Sequence, residues 1–398
     1  MGSISRENSS DLRVLFLQPQ PCIRALKYAK GLRWALGDKV KLIFGYMHYK
    51  LSELYGYGDE LFDSLEKLDP ENLEGSIERL VERHRPHLIH SHNAPDFLTV
   101  AAIEAVGGSV PIIHDCHEAL SLRITGYYVD DDETKILEVY PREERIAIEG
   151  SDARIYVSEG MREYIQRRYD VDPERDLVFP SYVSESVIPR VLRPRLSERR
   201  GGVHVVYIGT LTGLKRDSQY YLVDIFESLA ERGIHVHIYP SGISRKDKTY
   251  EYLAEESEFI HYHGYRERRK LLEEITQYDF GWAGFNANEK NWRHVDVALP
   301  NKVLEYVVCG LPVLAFPHRT IKEFVEDHGI GFTFDDVNEL ACWLDGEGPR
   351  EVRERALESR FKFTIEKNIW RVLRLYSMVS GAMEIAQPGG PEARSQPS

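Results

Sequence analysis

The stretch Leu299-Pro-Asn-Lys-Val-Leu-Glu305-Tyr-Val-Val-Cys-Gly310-Leu-Pro-Val-Leu-Ala315 predicts a short helix that is followed by a buried strand. Pro300 and Asn301 are helix start signals, and the Asn301 side chain is expected to cap the helix. Gly310 can adopt the left-handed conformation that ends a helix. Glu305 lies off the apolar face. Its carboxylate either complements the helix dipole or accepts hydrogen bonds from a hydroxyl-rich ligand, and the pattern alone leaves both interpretations open.

Strands alternate with helices on both sides of a Pro-, Arg- and Gly-rich segment at residues 188–202. Such alternation is typical of α/β domains with parallel, doubly wound sheets. We predict a first Rossmann-like domain at residues 12–195 and a second at residues 200–360. A long helical segment is predicted at residues 361–384.

Bulk properties narrow the class of protein. A chain of 398 residues with 42% hydrophobic and 29% charged residues is typical of a globular protein of two domains. Its net charge of −13 argues against a nucleic-acid partner. Four cysteines without metal-ligand spacing indicate free thiols in a reducing cytoplasm. With no signal peptide or membrane-spanning run visible, we expect a cytoplasmic protein, and the polar ends at residues 1–11 and 385–398 are predicted to be disordered.

The first predicted helix, Cys22 to Leu36, carries a basic residue at every third position: Arg24, Lys27, Lys30 and Arg33. An ordinary solvated helix face would explain this spacing. A surface for anionic lipid head groups or for an anionic acceptor is the alternative, and it would place the protein at the inner face of a membrane.

A glycine turn follows the first strand of the second domain, in Val206-Tyr-Ile-Gly209-Thr210-Leu-Thr-Gly213-Leu-Lys215-Arg216. The pattern predicts a strand, a turn and the beginning of a helix. Backbone N–H groups at such a helix start, with Lys215 and Arg216 beside them, would form a pyrophosphate site. A purely structural turn is the alternative.

Two polar segments of the first domain, His90-Ser-His92 and His114-Asp115, end predicted strands. In doubly wound sheets, ligands bind beyond the carboxyl ends of the strands. Imidazole can hydrogen-bond a sugar hydroxyl or orient an acceptor near neutral pH. Hydrogen-bonded structural histidines are the alternative.

The pattern Pro300-Asn-Lys-x-x-Glu305-Tyr-x-x-x-Gly310-Leu-Pro-Val resembles the donor-site segment of GT-B-fold, retaining glycosyltransferases of family 4. The resemblance implies two Rossmann-like domains that face a cleft, with the last helix crossing back to the first domain. It also implies that Glu305 holds the ribose of a nucleotide-sugar donor such as a UDP- or GDP-sugar. The donor-binding residues that follow from it are Gly209, Thr210, Arg216, Asn301, Lys302 and Glu305.

The resemblance further implies catalysis by electrostatic stabilisation of the leaving diphosphate. The residues expected to take part are His92, Lys215 and Glu305. On the acceptor side we expect Arg24, His114 and Asp115. Neither a protein-bound metal nor a tightly bound cofactor is expected, because the family's reaction does not generally require a metal from the protein.

Two departures from the family pattern concern the donor site. Members often carry two glutamates in the pattern Glu-x7-Glu. Glu305 corresponds to the later one, and the position of the earlier one is Val297 in this chain. Many members also have an arginine directly after the first glycine, where this chain has Thr210. We expect Val297 to Lys302 to line the pocket for sugar and phosphate, with the identity of the sugar left open.

The resulting hypothesis is a glycosyltransferase that moves a sugar, with retention of anomeric configuration, to a glycan, lipid-linked or small-molecule acceptor. One alternative is a nucleotide-sugar epimerase of the same fold, which the missing glutamate at Val297 weakens. Another is a glycosyltransferase-like binding protein without activity, which Val297 and Thr210 favour and the retained Glu305 opposes.

Overall fold

Two parallel β-sheets, one in each half of the chain, form the framework of the molecule. The structure is a computed structural model that describes residues 11–19, 22–123 and 131–382. The predicted fold class, two Rossmann-like α/β domains, is confirmed. The predicted disordered tail, and all but Asp11 of the predicted disordered start, lie outside the described residues.

The first sheet has seven strands in the order β3-β2-β1-β4-β5-β6-β7. Its strands are β1 (Leu12–Gln18), β2 (Val40–Tyr46), β3 (Ser64–Lys67), β4 (Leu88–His92), β5 (Ile112–Cys116), β6 (Ala153–Tyr156) and β7 (Asp176–Val178). The chain order reverses at β1, which pairs with both β2 and β4.

The second sheet has six strands in the order β10-β9-β8-β11-β12-β13. Its strands are β8 (Val203–Gly209), β9 (Ile234–Pro240), β10 (Ile260–Tyr262), β11 (Phe280–Trp282), β12 (Val313–Ala315) and β13 (Gly331–Thr333). Here the order reverses at β8. A ligand site in either domain is therefore expected beyond the ends of β1 and β8, where the connections diverge.

Helices connect the strands and pack against the sheets. In the first half they are α1 (Ile23–Leu36), α2 (Leu51–Tyr55), α3 (Leu73–His84), α4 (Phe97–Val106), α5 (Tyr140–Gly150) and α6 (Glu159–Arg168). In the second half they are α7 (Leu196–Arg200), α8 (Val223–Ala230), α9 (Thr249–Glu256), α10 (Arg268–Ile275), α11 (Trp292–Val297), α12 (Asn301–Val308), α13 (Arg319–His328), α14 (Val337–Leu344), α15 (Gly348–Ser359) and α16 (Ile365–Ser380).

Burial on both faces explains the composition of the central strands. β1 reads LRVLFLQ, and every residue from Val14 to Gln18 is buried. Helices cover both sides of a doubly wound parallel sheet, so its inner strands are nearly continuous apolar runs. The strands of this chain could for that reason be recognised without an alternating pattern.

The last helix, α16, crosses back onto the first domain as the resemblance implied. Gly31 of α1 lies so close to α16 that an added Cβ would come within 2.7 Å of Ile365 and 3.0 Å of Ile369. Ile365, Ile369 and Tyr376 are buried at this contact. Apolar packing of α1 against α16 thus ties the two ends of the chain together.

Candidate functional site

The carboxyl end of β8 forms the floor of the candidate site. Gly209 has a φ of +129°, a conformation that residues with a Cβ rarely adopt. A Cβ added at Gly209 would lie 3.3 Å from the Lys302 ammonium, so this lysine rests almost directly on the glycine backbone. The same ammonium lies 3.7 Å from the centroid of the Tyr207 ring, within the range of a cation–π contact.

Helix α12 carries both Lys302 and Glu305 into the cleft, and both are buried. Its N-cap is Pro300, and no side chain caps it. Asn301 is the exposed first residue of the helix. The prediction that the Asn301 side chain caps the helix is therefore wrong.

Arg268, at the beginning of α10, pairs with Glu305. Its Nη2 lies 2.8 Å from Glu305 Oε1. The Glu305 side chain is 10% exposed and that of Arg268 is 27% exposed. Within residues 11–19, 22–123 and 131–382, no hydrogen bond to Glu305 Oε2 is present, so one oxygen stays available to a ligand.

A third cation reaches the same place from the first domain. The Lys27 ammonium on α1 donates hydrogen bonds to the carbonyl and hydroxyl oxygens of Ser181, at 2.7 and 2.8 Å. Burial and the nearby Arg268 guanidinium lower the pKa of Lys27 to about 7. Arg268 and Glu305 both affect the pKa of Lys27, so this lysine lies within electrostatic range of that pair.

The charges of three basic side chains thus act on one carboxylate. Burial tends to raise the pKa of Glu305, but Arg268, Lys27 and Lys302 together hold it below its usual value. Burial lowers the pKa of Lys302 to about 7, against the opposing attraction of Glu305. An excess of positive charge in a poorly hydrated place favours an anionic ligand.

Lys215 and Arg216 lie elsewhere, on an exposed segment. Helix α8 begins only at Val223, so the predicted helix start next to Gly213 is wrong. Asn286, which lies 70 residues further along the chain, fixes this segment: its side-chain amide donates a hydrogen bond to the Arg216 carbonyl at 2.8 Å. Neither cation is brought to the Lys302–Glu305 site by a helix terminus.

Thr210 remains beside Gly209 at the end of β8. Its carbonyl accepts a hydrogen bond from the Tyr207 hydroxyl at 2.5 Å, and its hydroxyl lies 3.3 Å from that of Ser241. Ser241 follows β9, so two strand ends meet here. Thr210 is therefore fixed by hydrogen bonds at the end of β8. The positive charge next to Gly209 comes from the Lys302 ammonium.

In the first domain, His92 and Asp115 belong to a fully buried cluster with Arg24 and Tyr28. The Arg24 Nε and Nη2 atoms donate to both carboxylate oxygens of Asp115, at 2.8 and 3.0 Å. Tyr28 donates to the same carboxylate at 2.6 Å. His92 stacks on His90 with ring centroids 4.5 Å apart, and burial holds its pKa well below the usual value. These groups mainly neutralise one another.

His90, His92 and Asp115 offer three ligand atoms within 4.8 Å, a spacing that a metal ion could use. The Arg24 guanidinium nevertheless covers both Asp115 oxygens. A metal cation would have to displace that charge or lie next to it, which is unfavourable in a buried place. The chemistry of this donor set does not suit a metal.

His114 is separated from this cluster by the sheet itself. Successive side chains of a strand point to opposite faces, so His114 and Asp115 diverge. His114 Nδ1 lies 3.0 Å from the Thr99 hydroxyl and its Nε2 lies 3.1 Å from Asp96 Oδ1, both buried beneath α4. Of the second predicted segment, Asp115 therefore joins the cluster of His90 and His92, and His114 does not.

The prediction of an exposed basic face on α1 is wrong for two of its four residues. Arg24 and Lys27 are 4% and 6% exposed, and both donate to partners inside the protein. Arg33 pairs with Asp63 at 2.5 Å. These side chains therefore do not form a solvated or lipid-facing surface.

Val297 occupies the position where a glutamate was expected, and it packs into the first domain. It is 5% exposed in a cluster that includes Cys116, Val157 and Met161. Its carbonyl accepts a hydrogen bond from the Ser158 hydroxyl at 2.6 Å. The departure from the family pattern is thus an apolar contact between the domains.

Sequence reasoning missed Arg268 and misjudged Lys27. Arg268 begins the helix after β10, and the rule for strand carboxyl ends could have found it. Lys27 was assigned to a surface. Only the folded chain shows that Lys27 is buried and donates to Ser181.

Helix length bears on membrane contact. In the described part of the chain, no helix is both long and apolar enough to cross a membrane.

The two domains and the cleft between them define a glycosyltransferase-like GT-B fold. Residues 66–185 match the family model of Glycosyltransferase Family 4, and residues 231–354 match that of the Glucosyltransferase 3-like, C-terminal domain. The family 4-like resemblance is confirmed at this level, and retention of configuration stays a prediction. No curated protein matches the chain in sequence.

Solved structures of low sequence identity share the fold. HepE of Anabaena in complex with UDP has 16% identity and a TM-score of 0.63, over 91% of this chain and 100% of that one. Sucrose-phosphate synthase from Thermosynechococcus elongatus has 13% identity and a TM-score of 0.67, over 94% and 100%. A putative UDP-N-acetylglucosamine 2-epimerase from Listeria monocytogenes has 14% identity and a TM-score of 0.57, over 94% and 98%.

Proposed function

We propose that the protein is a glycosyltransferase that binds a nucleotide-sugar donor at the Lys302–Glu305 site and transfers the sugar with retention. The observation that carries this proposal is the buried excess of positive charge at the end of β8. Arg268 pairs with Glu305 there, and Lys27 and Lys302 add positive charge that lowers the pKa of this carboxyl. A diphosphate would neutralise this excess, because charge-assisted hydrogen bonds to phosphate are strong.

The donor would lie along α12. Its diphosphate would lie over Gly209, where no side chain covers the backbone. The Lys302 ammonium is close by, 3.3 Å from where a Cβ of residue 209 would lie. Glu305 would accept hydrogen bonds from the ribose hydroxyls through Oε2, while Oε1 stays paired with Arg268. In the reaction, Lys302 would stabilise the charge that develops on the leaving diphosphate.

The acceptor would enter from the first domain. Closure of the cleft would exclude water and limit hydrolysis of the donor. HepE has been solved with UDP, so a UDP-sugar is the first donor to test and a GDP-sugar the second. Arg24, His114 and Asp115 would then support the first domain rather than touch the acceptor, since they bond to one another or to buried partners. His92 stacks on His90, and neither of its ring nitrogens has a hydrogen-bond partner among the described residues.

The test is calorimetric titration of UDP, GDP and ADP into wild type and Glu305→Ala, followed by assays of nucleotide release from the sugar forms of whichever binds. We expect one nucleoside diphosphate to bind wild type and to lose at least about tenfold in affinity with Glu305→Ala, since hydrogen bonds to a charged group are worth about 1.5–3 kcal/mol.

Glu326→Ala is the matched control, because Glu326 is an exposed carboxylate on α13 of the same domain. Binding of none of the three nucleotides, or equal affinity of Glu305→Ala and wild type, would contradict the proposal. Conversion of the donor sugar without any acceptor would favour the epimerase alternative.

A further inference from the structure

A second opening between the domains has a chemistry that differs from the donor site. It is a cavity of about 610 Å³ between α6 of the first domain and α11 and α13 of the second. The basic and aromatic side chains that line it are Tyr164, Arg167, Arg168, Trp292, Arg293 and Arg319, and Asp296 is its acidic lining residue. Its size falls within the range of roughly 300–1,000 Å³ that is usual for small-molecule sites.

The cations of this cavity outnumber its carboxylates. Arg319 is already paired, 2.7 Å from Glu163 and 3.5 Å from Asp296. Arg167 shares Glu163 at 3.1 Å. Two of the four arginines thus share two carboxylates, and the pairing between α6 and α13 holds the cavity walls in place.

The remaining arginines, Arg168 and Arg293, have no carboxylate partner among the residues that the structure describes. Arg168 donates from Nε to the Tyr169 hydroxyl at 3.1 Å and lies 5.9 Å from the Tyr164 ring centroid. Arg293 lies 5.4 Å from the Trp292 ring centroid. Their free N–H groups can pair with a planar anion in the bidentate manner that guanidinium favours.

Exposed ring faces accompany these guanidinium groups. Trp292 is 51% exposed, and Tyr164 is fixed by a hydrogen bond of 2.8 Å between its hydroxyl and that of Ser121. The C–H face of a sugar ring packs against an aromatic face, while a carboxylate or sulfate on that sugar would bind arginine. A neutral sugar would leave the excess charge unused, and a simple anion would leave the rings unused.

The cavity also borders the donor segment. Val297 lines it and is followed within a few residues by α12, which carries Lys302 and Glu305. We propose that this cavity binds an acidic saccharide as the acceptor of the transfer. This inference rests on the proposed function for its catalytic part, whereas saccharide binding can be measured by itself.

The experiment is calorimetric titration of the full chain with UDP present, with a tetragalacturonate and a maltotetraose as probes. We expect the acidic tetrasaccharide to bind at least about tenfold more tightly than the neutral one. The double variant Arg168→Ala/Arg293→Ala should weaken the acidic probe at least about tenfold, with UDP affinity unchanged.

Arg145→Ala is the matched control, since Arg145 is an exposed arginine of the first domain on α5. This variant should bind both probes as wild type does. Trp292→Ala should weaken binding of the acidic probe. It should leave the affinity for sulfate, measured by competition with sodium sulfate, unchanged. Equal binding of the two tetrasaccharides, or an unaffected double variant, would overturn the proposal. Full displacement of the acidic probe by an equal concentration of sulfate would show a simple anion site and would also overturn it.

The two proposals fail separately. If UDP binds but tetragalacturonate does not, only the acceptor inference is lost. If no nucleotide binds, the proposed function is lost, and the saccharide titration without UDP still tests the cavity.

Discussion

The Arg24–Asp115 cluster of the first domain and the Lys302–Glu305 cluster of the cleft are both buried groups of ionisable side chains, but their charges balance differently. In the first, one guanidinium meets one carboxylate through two hydrogen bonds, beside histidines whose pKa burial keeps low. In the second, Arg268 forms an ion pair with Glu305, and the charges of Lys27 and Lys302 also lower the pKa of that carboxyl.

The comparison teaches how a structural cluster can be told from a ligand site. A balanced buried pair contributes to stability only while both partners remain, because removal of one leaves an unpaired charge. An unbalanced cluster is unfavourable in the free protein, and an anionic ligand relieves it. The first cluster should therefore respond to mutation with a loss of stability, and the second with a loss of binding.

The largest expected effect is that of Arg24→Met. Asp115 would stay buried without its cation, and we expect a loss of about 3–5 kcal/mol in the free energy of unfolding, measured by urea denaturation. The double variant Arg24→Met/Asp115→Leu should recover much of this loss, since it removes the unpaired charge. An Arg24→Met protein of wild-type stability would contradict the structural role of the cluster.

Lys302→Met should have a smaller effect and of another kind. We expect nucleoside diphosphate affinity to fall by about 1.5–3 kcal/mol, or roughly tenfold to 150-fold, because a charge-assisted contact to phosphate is lost. Stability should be retained or increased, since a buried lysine becomes apolar. Lys215→Met, on the exposed segment, is the comparison variant. If it weakens binding as much as Lys302→Met, the assignment of the phosphate cation to α12 is wrong.

The smallest expected effect is a pH dependence. Lys302 and Lys27 have pKa values of about 7 in the folded protein, against an ordinary value of 10.5. Between these values the unfolded chain binds more protons, so these two groups make the free protein more stable as pH rises from 7 towards 10.5. Nucleotide binding should weaken by about tenfold over the same rise, because neutral amines hold the diphosphate less tightly than ammonium groups do.

Calorimetry in buffers of different ionisation enthalpy measures this proton uptake directly. In Lys302→Met the dependence should become shallower, and Lys322→Met on exposed α13 should leave it unchanged. Nucleotide affinity that is constant from pH 7 to pH 9 in wild type would argue against lysines with lowered pKa values in the site.

Much of the fold could be predicted because it depends on local patterns. Apolar runs such as β1 and the helix–glycine–strand segment at residues 299–315 appear where the sequence places them. The opposite directions of His114 and Asp115 were also predictable, since adjacent residues of a strand never share a face. That rule alone would have separated His114 from Asp115.

Other features could not be read from the pattern. The three-residue basic spacing on α1 does not say which residues face the core, and the burial of Arg24 depends on Asp115, which is 91 residues away. The sequence after Gly209 resembles a helix start, but α8 begins only at Val223. The segment between them is fixed by a hydrogen bond from the distant Asn286, which the local pattern does not reveal.

By itself, the sequence determined the two α/β domains, the family 4-like donor segment and the place of Glu305 on a short helix, because periodicity and helix signals act over a few residues. Only the tertiary structure decided which charges meet. It buried Lys27 against Ser181, paired Arg24 with Asp115 and placed Lys302 on Gly209. Electrostatic interactions act through space between distant segments, so their balance is a property of the folded chain.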